Sequence, residues 1–207
     1  MLDILLAFDP LMLLAFIGAG LVLNFTPGAD FVFISASGIA GGPRRGFAAA
    51  IGVNLGIAVH VLAAAGGVSA LLIAYPGAYQ SIKIAGAAYL LWLAWSAWRS
   101  DGALAEGRAD ATAWRTVRRG FLVNVLNPKT ALFIFAFIPQ FTDPAIGPLW
   151  AQILILGAIF LLNGFVFALC LGGLAGLMAN VLRPRVRMLN RFTSILFAGL
   201  AARLLTD

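Results

Sequence analysis

Two short polar stretches interrupt the long apolar runs of this 207-residue chain. The first is residues 24–30 (NFTPGAD), and the second is residues 124–129 (NVLNPK). In each stretch a proline removes an amide donor and breaks a continuous helix. The freed carbonyls need partners that lipid cannot supply, so such breaks persist only where they are packed in protein or line a cavity. One break in each half of a chain is typical of the solute site of a secondary transporter.

Asp30 and Lys129 are the charged groups of these two stretches. A carboxylate in a spanning helix costs about 2.5–3.5 kcal/mol on insertion scales and usually serves transport, although Asp30 could also be wetted near an interface. We expect Lys129 to be its counter-charge, with Asn24, Asn124 and Asn127 completing the hydrogen bonds of the pair. The alternative for Lys129 is a long side chain that reaches an interface or a cavity. If both charges face one cavity, they match the two ends of a zwitterion.

In that arrangement Asp30 would hold an ammonium group or a proton, and Lys129 or a helix N-terminus would hold a carboxylate. Gly28 lets the chain bend, and the polar side chains can bond freed carbonyls or a ligand. A simple kink without a site is the other interpretation of the breaks. The predicted substrate-binding set comprises Asn24, Thr26, Pro27, Gly28, Asp30, Asn124, Asn127, Pro128 and Lys129.

Three other polar side chains lie inside apolar runs. His60 can take part in proton coupling together with Asp30, because imidazole titrates near neutral pH, or it can bond a helix carbonyl. Asn54 and Asn163 can line the pathway or join helices. Glycines at four-residue spacing predict close helix approach, and they are Gly52, Gly56, Gly172 and Gly176.

The composition predicts an integral membrane protein. The chain is 62% hydrophobic and 11% charged, with a mean hydropathy of +0.98, whereas soluble domains carry about 25% charge. The pI near 10.5 does not indicate nucleic-acid binding, because the basic residues occupy short loops and form no continuous face. The lone Cys170 permits no internal disulfide.

Six apolar runs predict an all-α fold with six transmembrane helices, each near the usual length of about 20 residues. The first run has no preceding basic residue and is too long for a signal peptide, so we expect it to be the first membrane helix. The predicted helices span residues 10–37, 47–74, 77–98, 119–138, 149–179 and 187–205.

Loop charges predict the orientation. The loops after the first, third and fifth runs contain eleven of the fourteen Lys and Arg residues, and the opposite side contains Lys83 and Arg203. By the positive-inside rule the first group faces the cytoplasm, and both termini face outward.

A polar stretch at residues 99–118 predicts a cytoplasmic linker between two halves, 1–98 and 119–207, of one membrane domain. Three crossings in each half force the halves into opposite orientations. This predicts two inverted three-helix repeats, with helices 1 and 4 broken at Pro27 and Pro128. A weak sequence echo agrees, with Gly20, Asn24 and Pro27 matched by Gly120, Asn124 and Pro128.

Four blocks of the sequence resemble the LysE/RhtB family of bacterial amino-acid exporters. Residues 26–31 (TPGADF) resemble its TPGP(N/D)F signature, and residues 86–93 (GAAYLLWL) resemble its GAAYLLWLG block. Residues 121–129 (FLVNVLNPK) and 137–141 (FIPQF) resemble its G-F-x-x-N-x-x-N-P-K and F-x-P-Q-F blocks. Ala29 departs from the usual second proline, which should relax that bend. His60 stands where family members often have a histidine.

The resemblance implies export of amino acids or close derivatives across a bacterial inner membrane, by exchange against protons. The expected partners are a small amino acid, protons and the lipid bilayer, and a homo-oligomer stays open because of the glycine-rich helix faces. No GxxxxGK[ST] sequence is present, so ATP is not expected to drive transport directly, and no cofactor is expected. One membrane carboxylate favours neutral substrates such as threonine, homoserine or leucine over cationic ones.

Other classes of function fit less well. A passive channel and a metal-ion exporter are the main alternatives, although a transition-metal site needs several His, Cys or carboxylate ligands. A thiol-redox carrier needs two cysteines, and the chain has only Cys170. A membrane-embedded enzyme could in principle use Asp30 and Lys129 as acid and base. No His/Asp or Ser/Lys pairing at a suggestive spacing appears in the sequence, so we expect no enzymatic activity.

Overall fold

The computed structural model describes residues 1–26, 28–68 and 112–182, and beyond them only isolated positions between 75 and 99 and between 188 and 202. Within this part of the chain every regular element is a helix and no strand occurs. The prediction of an all-α membrane protein is confirmed.

The first half begins with α1 (Leu2–Ala7) and α2 (Pro10–Phe25). Asp9 caps α2, because its carboxylate accepts an N–H of the first turn, and a proline at the first helical position fits the same start. After the break follows α3 (Ala29–Ala63), which ends in a π-helical turn (Ala64–Val68). The short helix α1 was not among the predicted elements.

The second half has the same opening pattern of a helix, a break and a second helix. Asn127 caps the helix after the break, as Asp9 caps α2. The elements are α4 (Ala113–Val125), α5 (Pro128–Leu132), a π-helical turn (Phe133–Phe137), two 3₁₀ turns (Ile138–Phe141 and Pro144–Ile146) and α6 (Leu149–Leu182).

Two single helical segments, Gly41–Gly67 and Leu149–Leu174, are long and apolar enough to cross a membrane. Two bent pairs qualify if each is one span. Pro10–Phe25 with Ala29–Ile39 bends by 58°, and Ala113–Val125 with Lys129–Phe141 bends by 55°. These four coincide with the predicted first, second, fourth and fifth membrane helices.

More than half of the positions in the predicted helices at 77–98 and 187–205 lie outside the described residues, and so does Pro27. The six-helix inverted repeat, the division into halves and the outward-facing termini therefore stay predictions. One boundary differs. Since α4 begins at Ala113, residues 113–118 of the predicted linker are helical, and Thr112 caps them by accepting the N–H of Arg115.

The connection predicted between the first two membrane helices is a tight turn inside α3. Gly41 (φ −138°, ψ 15°) and Gly42 (φ 70°, ψ −176°) leave the helical conformation there. The positive φ of Gly42 is a conformation that side chains disfavour, so glycine is needed at this point. The turn lets one continuous segment form the end of one span and the beginning of the next.

The second part of α3 packs directly on α4 and α6 through its glycines. A Cβ at Gly52 would lie 2.2 Å from the carbonyl oxygen of Val117, and one at Gly56 would lie 2.7 Å from Oδ1 of Asn124. A Cβ at Gly46 would lie 2.1 Å from the carbonyl oxygen of Gly172. Close helix approach is thus confirmed for Gly52, Gly56 and Gly172, while the surroundings of Gly176 lie outside the described part of the chain.

This packing predicts a stability effect. Gly52→Ala should lower the thermal unfolding midpoint in detergent, because the helices must separate or deform, and such overpacking costs about 1–3 kcal/mol. Gly18→Ala is the matched control, because nothing lies within 4 Å of a Cβ at Gly18. Equal midpoints for the two variants would contradict the close approach of α3 and α4.

Candidate functional site

The two helix breaks meet inside the protein. α2 ends at Phe25, and α3 starts from Gly28, whose extended backbone (φ −161°, ψ −174°) is the N-cap. The hydroxyl of Thr26 donates to the Val22 carbonyl oxygen at 2.7 Å and so satisfies part of the end of α2. Opposite, Oδ1 of Asn127 accepts the N–H of Lys129 at 3.0 Å and starts α5. The breaks therefore end and begin four helices in one place.

Asp30 is held by side chains of the other break. Its Oδ2 accepts Nδ2 of Asn124 at 2.9 Å, Nδ2 of Asn127 at 2.8 Å and the hydroxyl of Thr130 at 3.1 Å. Nδ2 of Asn124 also reaches the oxygen of Thr130 at 3.3 Å. Asp30 Oδ1 is buried and has no hydrogen-bond partner. Three donors on one oxygen and none on the other leave the carboxylate with a free acceptor.

Lys129 is held by the backbone of the first break. Its ammonium group donates to the carbonyl oxygens of Leu23 at 2.9 Å and Thr26 at 2.8 Å. It packs beside Gly28, where a Cβ would lie 3.3 Å from Nζ. The broken end of α2 thus obtains from α5 the donors that an intact helix would supply.

Asp30 and Lys129, which we expect to be counter-charges, both line the cavity, yet each takes its hydrogen bonds from other partners. Among the described residues neither side chain has the other as an ion-pair partner within 4.0 Å. The side-chain amides of Asn124 and Asn127 donate to the carboxylate, whereas the amide of Asn24 donates to Asn163. The physical reason is that two freed carbonyls inside an apolar region demand donors, and Lys129 is the side chain long enough to reach both.

The three other predicted polar residues have different partners. Nε2 of His60 lies 3.2 Å from the carbonyl oxygen of Asn124, so the helix-carbonyl interpretation describes its contact. Nδ2 of Asn163 donates to the Ile17 carbonyl oxygen at 3.2 Å, and its Oδ1 accepts Nδ2 of Asn24 at 3.1 Å. These bonds join α2 to α6. Nδ2 of Asn54 donates to Ala50 within α3 at 3.2 Å.

A cavity of about 40 Å³ lies against Asp30 and Lys129, which is room for about three waters. Its wall combines residues of α2, α3, α5 and α6. The polar lining is Asn24, Thr26, Asp30, Asn54, Lys129 and Thr130. The apolar lining includes Phe31, Ile34, Val53, Ile57, Phe160, Phe167 and Leu171.

The predicted residues therefore divide into two layers. Asn124 and Asn127 stand behind Asp30 and fix it, while Asn24, Thr26 and Lys129 line the cavity beside it. Pro27 lies outside the described residues, and Pro128 occupies the first position of α5. His60 and Asn163 brace the surrounding helices from positions that do not line this cavity.

Comparison with known proteins identifies the family. The family model described as LysE type translocator matches residues 21–207. The chain belongs to this family.

Three relatives extend this result. A leucine efflux protein from an Enterobacter species is 30% identical over 185 residues, covering 86% of this chain and 87% of the relative. A homoserine/homoserine lactone efflux protein from Salmonella typhimurium is 33% identical over 145 residues, covering 69% and 70%. An uncharacterised membrane protein from Vibrio cholerae is 35% identical over 153 residues, covering 70% and 71%. No solved structure matches the chain.

Several residues that line the cavity of this LysE-type translocator are absent from the set predicted from the sequence. Thr130 donates to Asp30, and its position in the first turn after the capped break was the available signal. The aromatic side chains Phe31, Phe160 and Phe167 have no such signal, because phenylalanine is common throughout the apolar runs. Within the described residues no group of three or more His, Cys, Asp or Glu side chains is placed to hold a metal ion.

Proposed function

We propose that this protein is a secondary active exporter of amino acids or close derivatives, and that it exchanges its substrate for protons across a bacterial inner membrane. Family membership supports transport, and the leucine and homoserine efflux proteins among its relatives support amino acids as the cargo. The observation that carries the proposal is the buried, unpartnered Oδ1 of Asp30 beside a cavity between two broken helices.

A buried carboxylate oxygen without a donor is costly, because its lost hydration is not replaced. Water in the cavity can donate to this oxygen, and two species also neutralise its charge: a proton on Asp30, or a cationic group bound against it. If both use the same oxygen, they exclude one another. The Asp30 carboxylate then binds either the substrate or a proton, but not both. Each transport cycle therefore moves a substrate in one direction and a proton in the other.

Alternating access then requires the cavity to open to one side at a time. At about 40 Å³ the cavity admits a few waters and no amino acid, so a substrate enters only when helices move apart. The breaks after Phe25 and Val125, bent by 58° and 55°, are the natural hinges. In transporters of this kind the halves rock around a site at the broken helices.

The lining favours a neutral, apolar side chain on the substrate. Asp30 is the single acidic residue among those lining the cavity, and most of the wall is aliphatic or aromatic. A cationic side chain would need a second acceptor group of its own. Lys129 uses two of its three N–H donors on α2, which leaves one donor for a substrate carboxylate.

The test is transport by purified protein in vesicles. Vesicles loaded with leucine, threonine, homoserine, lysine or arginine are followed for efflux with and without an imposed pH gradient. We expect neutral amino acids to leave against their own concentration gradient when protons flow the other way. Flux that only dissipates the amino-acid gradient would instead establish a passive channel, and absence of flux for every amino acid would refute the proposal.

A further inference from the structure

Two acceptor atoms of cavity-lining residues are buried and lack any hydrogen-bond partner: Oδ1 of Asp30 and Oδ1 of Asn54. The orientation of the Asn54 amide follows from its contacts. Its Nδ2 donates to the Ala50 carbonyl oxygen, and the reverse orientation would set two oxygens against each other. The unpartnered atom of Asn54 is therefore its acceptor Oδ1.

Most of the donor groups around the cavity already have a partner. The hydroxyl of Thr26 donates to Val22, and the hydroxyl of Thr130 donates to Asp30. Nδ2 of Asn24 donates to Asn163, and Lys129 donates twice to α2. The two buried oxygens without a partner remain, and a ligand that completes them must bring donors.

We infer that Oδ1 of Asp30 and Oδ1 of Asn54 together bind the primary ammonium group of the substrate, and that the site selects its substrates by this group more than by the carboxylate. The inference rests on the proposed function and assigns Asn54 as a binding residue. A primary ammonium brings three N–H donors and a positive charge, which meets both orphan acceptors and neutralises the carboxylate.

The placement of the two acceptors links recognition to movement. Asp30 lies in the first turn of α3, directly after the break, whereas Asn54 lies in the second part of α3, beyond the turn at Gly41 and Gly42. Asn54 also stands between Gly52 and Gly56, which fix this segment against α4. An ammonium group held by both residues joins the segment next to the break to the part of α3 that packs closely on α4.

Charge balance also fits an exchanger. When the ammonium group leaves, a proton on Asp30 replaces its positive charge, so the carboxylate is neutralised in both states of the cycle. The proton and the ammonium group each neutralise the carboxylate while bound.

The first experiment is competition in vesicles that contain the wild-type protein. The probe is the amino acid of the efflux panel that is transported fastest. The competitors are its amide and its N-acetyl derivative. The assay is run at mildly acidic pH, where the α-amino group of the amide is protonated. We expect the amide to compete within about ten-fold of the parent and the N-acetyl compound to be at least about ten-fold weaker than the amide, because it lacks the charged donor. The reverse order would overturn the inference.

The second experiment uses a pair of variants at position 54. Asn54→Leu removes the acceptor, and we expect the KM for the probe to rise about ten-fold, the usual effect of losing one hydrogen bond to a charged group. Asn54→Gln keeps both an amide oxygen and an N–H donor for the Ala50 carbonyl oxygen, so we expect recovery to within about three-fold of the wild-type KM. An equal rise in both variants, or none in Asn54→Leu, would contradict the role of Asn54.

The outcomes separate the inference from the function on which it rests. If no amino acid of the panel is transported, the proposed function fails. If transport occurs but the N-acetyl compound competes as well as the amide, only the ammonium assignment fails. If efflux requires Na⁺ and the Asn54→Leu variant alters the Na⁺ dependence instead of the KM, the two oxygens bind a metal cation and the inference is wrong.

Discussion

Asp30→Asn is expected to abolish proton-driven efflux while leaving the protein folded in the membrane. The amide oxygen can still accept from Asn124, Asn127 and Thr130, which hold the present Oδ2. Its amide nitrogen then replaces the unpartnered Oδ1 and can accept neither a proton nor an ammonium group. In vesicles with an imposed pH gradient, efflux should fall to the rate of protein-free vesicles.

Thr130→Val is the matched control for this prediction. It removes one of the three donors to Asp30 and keeps the carboxylate, so coupled efflux should persist at a reduced rate. Yield, detergent solubility and the thermal unfolding midpoint of both variants report on folding. Wild-type efflux by Asp30→Asn under a pH gradient would remove Asp30 from the coupling mechanism.

Lys129→Met is expected to damage the break itself. Methionine fills a similar space but removes the ammonium donor from the Leu23 and Thr26 carbonyl oxygens. Leu23 keeps the backbone N–H of Thr26 as a donor, so the Thr26 carbonyl oxygen is the one that the change leaves unsatisfied. An unsatisfied buried polar group costs about 1–3 kcal/mol, so the unfolding midpoint and the turnover number should both fall. The loss in transport should be similar for an amino acid and for its amide.

That comparison distinguishes two roles of Lys129. A structural role affects both substrates alike, since the shape of the break is common to them. Capture of a carboxylate, the role that the sequence suggests, affects the acid and spares the amide. Wild-type transport of the amide by Lys129→Met, together with loss of the acid, would show that the ammonium group of Lys129 acts on the substrate.

The positions of the two helix breaks could be predicted from the sequence because they depend on local chemistry. Proline, glycine and asparagine within apolar runs mark a broken helix wherever they occur, and both breaks stand at the predicted places. The apolar periodicity also located four spans. The start of α4 was missed although Thr112 is a good N-cap residue, because the polar stretch before it suggested a longer linker.

The partners within the site could not be predicted, because sequence spacing does not say which polar atoms meet. Opposite charges suggested an Asp30–Lys129 pair, yet amide and hydroxyl donors hold the carboxylate and carbonyl oxygens hold the ammonium group. The competition between these partners is decided by distances that arise only when four helices pack. The unpartnered oxygens of Asp30 and Asn54 are visible only after every donor has been placed.

The hydrogen bonds between the two breaks have a consequence for synthesis and membrane insertion of the chain. The residues that donate to Asp30 lie about a hundred positions later in the sequence. The same is true of Lys129, which donates to the carbonyl oxygens of Leu23 and Thr26. Until Lys129 and its neighbours leave the ribosome, the nascent first segment has open polar groups that neither lipid nor its own backbone can complete. Early membrane insertion must therefore shelter that segment, within the translocon or beside water, before the finished molecule closes around it.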